Sequence, residues 1–266
     1  FPAHRLNRFF PFPDPEALRR SLDAESSPAA YNAVFWYPEH GGIERLVRQL
    51  DFPDFIRAAA QAIDMRTHTV KAGDKEYPWD ALVSTIPLPD LLRAGPPSWQ
   101  NAANALSCSG VFLLQLGISG PPPEILRGWH WVYAADPALP FFRLGVYSNI
   151  SPNLAPRGCH SLYVQTGFRA HEPPDLKTLG ARVLRSLQDA GFVNPARIEV
   201  ALSHILFPAY VHFDSRWEET VPPWRRQLSS DGVFTAGRYG AWDYIGMEDA
   251  IFQGCDAARQ ALSFAI

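Results

Sequence analysis

The chain has 266 residues, 47% of them hydrophobic and 19% charged, enough apolar material for one large core or two closely packed ones. A formal net charge of −3 with scattered Lys and Arg gives no basic field for nucleic acid or anionic lipid, so no polyanion partner is expected. The 3 cysteines, Cys108, Cys159 and Cys255, lie far apart without a CxxC pair, which argues against a disulfide framework or a zinc site and fits a reducing, cytoplasmic setting. Apolar runs such as 111–116 are strand-sized, and no charged-then-apolar leader opens the chain, so no transmembrane segment is expected.

Asp14 before Pro15 reads as a helix cap with proline at the first helical position, and predicts a short helix to about 21–24. After a turn over 37–42, Ile43, Leu46, Val47 and Leu50 recur at helical spacing. Residues 67–71 alternate, Gly73-Asp74 turns the chain, and 80–86 is an apolar run stopped by Pro87 and Pro89. A loop at Gly95-Pro96-Pro97 marks a change of character. Four strands are predicted over 111–118, 129–134, 141–148 and 161–168, separated by turn clusters, and this spacing suggests a mostly antiparallel sheet. Leu176, Leu179, Val183, Leu184 and Leu187 mark a helix ending at Gly191, followed by a strand over 197–207. A short strand at 232–236, a glycine-punctuated loop at 237–246 and a long helix at 247–265 close the chain.

Trp129, Trp131, Tyr133, Phe141, Phe142 and Tyr147 crowd adjacent predicted strands. Aromatics favour strands and dominate core area, so core accounts for most of them; an aromatic-walled pocket for an apolar ligand remains open for a minority. Familiar catalytic signatures are missing. Gly117-Ile118-Ser119-Gly120-Pro121 fails the nucleophile elbow at its last position, and there is neither an HExxH metal pattern nor a GxxxxGK[ST] loop. No metal is expected, and no catalytic side chain is assigned.

Three segments carry the remaining signal. Tyr37-Pro38-Glu39-His40-Gly41-Gly42 places paired glycines before a helix, where backbone can approach a flat ligand without a Cβ in the way. Asp80 to Pro87 is an apolar strand that breaks at Thr85-Ile86-Pro87. Gly237-Arg238-Tyr239-Gly240 runs into a helix beginning Met247-Glu248-Asp249-Ala250-Ile251. In this order and spacing they resemble the FAD-dependent amine oxidases, most nearly the members grouped with protoporphyrinogen oxidase and UDP-galactopyranose mutase. Pro140-Phe141-Phe142-Arg143 with Tyr147-Ser148-Asn149 is similar to that family's substrate-domain strands, and the likeness spans about 31–258.

The resemblance implies an α+β fold: the remainder of an α/β flavin domain over 36–94 and 230–266, and a mostly antiparallel substrate domain with helices over 1–35 and 95–229. It implies FAD as cofactor, met by Gly41, Gly42, Thr85, Pro87, Gly237, Arg238, Tyr239, Met247 and Glu248, and a small-molecule substrate met by Arg143, Tyr147, Asn149 and Tyr244. The physics agrees: a helix start near Met247 presents free N–H groups and a positive dipole end to the electron-rich edge of a reduced flavin. Glu248 and Asp249 are more simply read as first-turn carboxylates, which any helix favours. Arg238 has the planar fork for a pyrophosphate or carboxylate, the alternative being a surface salt bridge of little value. Arg143 stands in an apolar strand; by strand alternation Tyr147 and Asn149 share its side, as a ligand anchor or as an exposed sheet face.

The chain departs from the family in one respect. GxGxxG, the loop that seats the dinucleotide, occurs nowhere, and the chain opens on Phe1. The expectation is that an upstream portion is absent and that a missing N-terminal segment or a second chain supplies it. Three functions stay open: an oxidoreductase passing hydride from a small organic substrate to FAD, a UDP-galactopyranose mutase-like isomerase using reduced flavin, and a non-catalytic substrate-domain remnant.

Overall fold

The computed structural model describes residues 35–50 and 55–266. The helix expected after Asp14 falls outside them. In chain order the main elements are α1 (Glu44–Arg48), β1 (Ala60–Asp64), β2 (Thr69–Ala72), β3 (Lys75–Pro78), β4 (Leu82–Ser84), α2 (Leu88–Ala94) and α3 (Gln100–Ala105). There follow β5 (Cys108–Ser119), β6 (Trp131–Tyr133), β7 (Arg143–Val146), α4 (Tyr147–Ile150), β8 (Cys159–Arg169) and α5 (Leu176–Asp189). The last are β9 (Ile198–Val211), α6 (Ser215–Ser230), β10 (Val233–Thr235), α7 (Gly237–Gly240) and α8 (Met247–Phe264). The described residues form an α+β fold in two compact units: unit 1 holds 35–50, 111–168 and 173–206, and unit 2 holds 55–110, 169–172 and 207–266. The twin-glycine turn thus belongs to unit 1, although the sequence groups it with 80–94.

Unit 1 is built on a five-stranded sheet of order β6-β7-β8-β5-β9. β7 runs antiparallel to β6 and β8, with Leu144 opposite Val132 and Val164. Because side chains alternate across a strand, Val132, Leu144, Val146, Leu162 and Val164 share one face, and Tyr133, Arg143, Gly145, Tyr163 and Gln165 share the other. The first face is sealed by α5, whose Leu179, Val183 and Leu187 recur every fourth residue and bury against Phe112, Leu114, Leu116 and Leu144. Asp175 starts that helix by accepting from the Thr178 N–H at 2.7 Å; the Thr178 hydroxyl first, and then this N–H, hold its carboxyl below the usual aspartate range. Gly191, at φ +72°, lets the chain turn off its end.

The predicted strand 141–148 ends early. Val146 is the last strand residue, and Tyr147–Ile150 is a helical turn closed by Ser151 N–H to Tyr147 O at 3.1 Å. The Asn149 amide donates to Leu126 O and to Trp129 O, both at 2.8 Å, which holds the turn against the preceding loop. Alternation from Arg143 therefore does not carry through to Tyr147 and Asn149.

In unit 2, β4 and β10 pair in parallel, Val83 opposite Phe234, and β1-β2-β3 form an antiparallel sheet turned at Gly73-Asp74. Its core gathers Leu88, Leu91 and Leu92 of α2, Trp99, and Trp217, Val221 and Leu228 of α6 with Trp242. Three helices here go unseen in the sequence. α2 starts on Pro87 with Pro89 in its first turn, where a missing N–H costs nothing, so the prolines that read as breakers are helix starters. α6 contains Pro222 and Pro223, which should break it. It survives because Asp214 caps the Trp217 N–H at 3.0 Å and Trp217, Val221 and Leu228 are buried. α3 is a six-residue stretch without a helical apolar period, two of whose alanines are buried. α8 buries only Ala257 among its 18 residues and leaves Met247, Ile251, Phe252 and Leu262 exposed.

Leu187→Ala, at a fully buried position, should cost about 2–5 kcal/mol in urea unfolding, whereas Leu176→Ala, on the exposed first turn of α5, should stay within about 0.5 kcal/mol of the parent.

Candidate functional site

Within unit 1, four chain segments meet at a cleft of about 580 Å³: Tyr37, Ile43 and Glu44 from the first turn, Gln115 to Ile118 of β5, Tyr147 with 154–156 and 159–162, and Glu199, Val200 and Leu202 of β9. The first turn needs its glycines. Gly41 and Gly42 sit at φ +81° and +65°, and a Cβ on Gly42 would meet the Tyr37 hydroxyl at 3.8 Å and Leu154 at 3.9 Å. Asn153 fastens this turn from across the unit, donating to Glu39 O at 2.7 Å.

Tyr147 is placed by a short chain of contacts. Gly145 has no side chain, so the Tyr163 ring lies flat across it; a Cβ there would stand 2.3 Å from that ring. Tyr163 in turn packs on Tyr147 with centroids 4.6 Å apart and the planes tilted by 33°, and Gln115 Nε2 donates to the Tyr147 hydroxyl at 3.2 Å. Burial is the main cause that pushes the Tyr147 phenol above its ordinary value, the nearby Tyr37 phenol adds to it, and the Gln115 hydrogen bond opposes it. His160 lies in the same wall. Its Nδ1 meets Gly120 O at 2.8 Å; a carbonyl only accepts, so the ring hydrogen belongs on Nδ1 and Nε2 is an acceptor. His160 is 3% exposed, and its Nε2 has no hydrogen-bond partner among the described residues.

Arg143 lies on the sheet face away from α5, its guanidinium 4.7 Å from the Tyr133 ring centroid and hydrogen-bonded to the Tyr133 hydroxyl. It is not among the residues that line the cleft. Asn149 spends both amide hydrogens on the carbonyls of Leu126 and Trp129.

In unit 2 the late loop packs tightly on β4. A Cβ on Gly240 would stand 2.6 Å from Ser84 O and 3.0 Å from Thr85 Cα, so only glycine fits, and Ala236 N–H donates to Ser84 O at 3.0 Å. Gly237 is in the left-handed region at φ +77° with open space where its Cβ would be, and its N–H donates to Gln253 Oε1 at 3.0 Å. The Arg238 guanidinium lies over Tyr244 at 4.4 Å and Tyr210 at 5.2 Å and donates to Ala209 O at 3.2 Å. Tyr239 is half-buried on the same short helix. Asp249 accepts from the Gly246 N–H at 2.9 Å, the structural role preferred for it from sequence, while Met247 and Glu248 are exposed at the helix start. Thr85 is exposed, and Pro87 accepts the first amides of α2. Trp242 is 1% exposed with a buried Nε1–H that finds no acceptor among the described residues. An open left-handed glycine, an unpaired fixed donor and a helix N-terminus are features that fit the polar edge of a flavin.

Of the residues singled out in the sequence, Tyr147 lines the cleft and the twin glycines turn the chain between its residues Tyr37 and Ile43; Gln115, His160 and Glu199 were missed. Their pattern holds no local signal: each reaches the cleft through strand pairing over tens of residues.

The described residues thus combine an α+β fold with a cleft in unit 1 and a glycine-arginine loop in unit 2. Over residues 22–262 the sequence matches the profile of the flavin containing amine oxidoreductases, and the chain belongs to that family. Its fold is similar to that of reduced UDP-galactopyranose mutase (TM-score 0.82, 24% identity, covering 94% of this chain and 57% of that one). It is also similar to a fatty acid isomerase from P. acnes that produces CLA (0.58, 13%, 82% and 52%) and to a putrescine oxidase redesigned in cofactor binding (0.57, 15%, 79% and 49%). The chain thus spans between 49% and 57% of the length of these structures. No curated protein matched significantly. Among the described residues no helix is long and apolar enough to cross a membrane.

Two outcomes test this geometry. In an alkaline absorbance titration, one tyrosine that Tyr147→Phe removes should ionise above the ordinary value of 10.0, and Gln115→Leu should move it higher still, because the amide N–H favours the phenolate. By the same sign, stability should be level below that ordinary value and fall as pH rises through the raised one. Gly240→Ala should cost about 1–3 kcal/mol in chemical unfolding, since backbone rather than a mobile side chain stands in the way.

Proposed function

We propose that this chain forms part of an FAD-dependent oxidoreductase in which unit 2 meets the cofactor and the cleft of unit 1 receives a small organic substrate. Bound FAD would supply the two-electron acceptor for a hydride leaving a C–H bond of the substrate. The observation that carries this reading is the family match across residues 22–262, which takes in every segment that builds the cleft and the late loop. In unit 2, the start of α8 at Met247 and Glu248 would offer backbone N–H groups to the ring, with Thr85, Pro87, Gly237, Arg238 and Tyr239 around them. Gly41 and Gly42 would offer a flat ligand backbone without side chains. Tyr147 would orient the substrate from the cleft wall.

The isomerase alternative is less well supported by the cleft. A nucleotide sugar carries a diphosphate, which calls for cations, and the described residues lining the cleft include Glu44 and Glu199 but no Lys or Arg. A setting inside the cytoplasm agrees with three free cysteines among the described residues.

The test is the flavin content of the protein expressed from its complete reading frame. Retained FAD, with an absorbance band near 450 nm that an oxidisable substrate bleaches, is the expected result. Gly237→Val should lower retention by about tenfold or more, because it puts a side chain into the open left-handed position. A protein that stays colourless after incubation with FAD would end the redox reading.

A further inference from the structure

The cleft of unit 1 is specific in what it lacks. Its wall is mostly aliphatic, with Ile43, Leu154, Val200 and Leu202 around Gln115 and Gly117, so a ligand there loses water from the side that packs against it. An anion losing water in that way needs a cation or several donors to hold it. Among the described residues the lining offers no Lys or Arg, and its ionisable carboxylates, Glu199 and the Arg48-paired Glu44, would repel it.

What the cleft does offer is one oriented donor. A phenol carries a single hydrogen; because the Tyr147 oxygen already accepts from Gln115, that hydrogen is left to donate. The Tyr163 ring, packed on it at 4.6 Å with the planes tilted by 33°, holds the ring that carries it.

We infer that this cleft selects an uncharged, largely apolar carbonyl compound whose oxygen accepts from the Tyr147 hydroxyl, and that it rejects carboxylates and nucleoside diphosphates. This rests on the reading of the cleft as the substrate site, and it narrows that site to neutral ketones or enones.

The experiment needs no flavin. The purified chain is titrated with 2-tetralone, with tetralin of the same shape but no oxygen, with 2-naphthoate and with UDP, and the carbonyl stretch of bound 2-tetralone is recorded by infrared difference spectroscopy. Saturable binding of 2-tetralone with its stretch lowered is expected, together with an affinity about tenfold weaker for tetralin and no binding of 2-naphthoate or UDP. Tyr147→Phe should reduce 2-tetralone to the level of tetralin and abolish the stretch shift. Val200→Trp, at a position 49% exposed and so tolerant of bulk, should block the ketone by filling the cleft, which ties the binding to this place whether or not the tyrosine variant folds. Tighter binding of UDP or 2-naphthoate than of 2-tetralone, blocked by Val200→Trp, overturns the inference. So does a Tyr147→Phe protein with unchanged affinity and stretch. Ketone binding that persists in a protein which takes up no FAD upholds the inference while the redox reading falls; FAD uptake without ketone binding does the reverse.

Discussion

The pairing register between β7 and β8 is the constraint on which unit 1 depends. With Leu144 opposite Val164 and Val146 opposite Leu162, the apolar positions meet α5 and the polar ones do not. A slip of β7 by one residue would drive Arg143 into the core and turn Leu144 and Val146 to the other face, at a cost no loop could offset. The same register sets Gly145 opposite Tyr163, and from that pairing follow the ring lying over the glycine, the packed Tyr147 and its hydroxyl in the cleft. Packing on one face of the sheet and recognition chemistry near the other are thus consequences of a single alignment.

Unit 2 depends on close approach instead. β4 and β10 contribute only three residues each, too few for a sheet to be stable by itself, and the late loop completes the layer by setting the backbone of Gly240 against Ser84 and Thr85. The segment that resembles a flavin-edge loop is therefore also a packing element. Its glycines serve two different needs, a left-handed turn at Gly237 and steric clearance at Gly240.

Much of this was legible in the sequence where the signal is local. The strands of the large sheet followed from alternation and turn clusters, and α5 and α8 from their apolar spacing and caps. The twin-glycine turn, the Thr-Ile-Pro strand end and the glycine-arginine loop pointed to the family because their order is specific even though each is ordinary alone. Elements whose stability is tertiary were not legible: α6 keeps Pro222 and Pro223 only because Trp217, Val221 and Leu228 are buried, and α2 hides behind prolines that start it. Alternation misled at Val146, where a helical turn fastened by Asn149 replaces the strand. Gln115 and His160 gave no signal because their meaning comes from residues brought near by the sheet.

Trp217 Nε1 donates to the backbone oxygen of Trp242 at 2.7 Å inside the core, and Trp242 itself is held at φ +52°, where a bulky side chain rarely rests. The late loop therefore takes its shape from a helix with no assigned chemistry of its own. Stiffness is lent from the interior to a segment that also carries the open backbone of Gly237, so the loop should loosen only when the core of unit 2 does, and it would act as a fixed bracket rather than a flap.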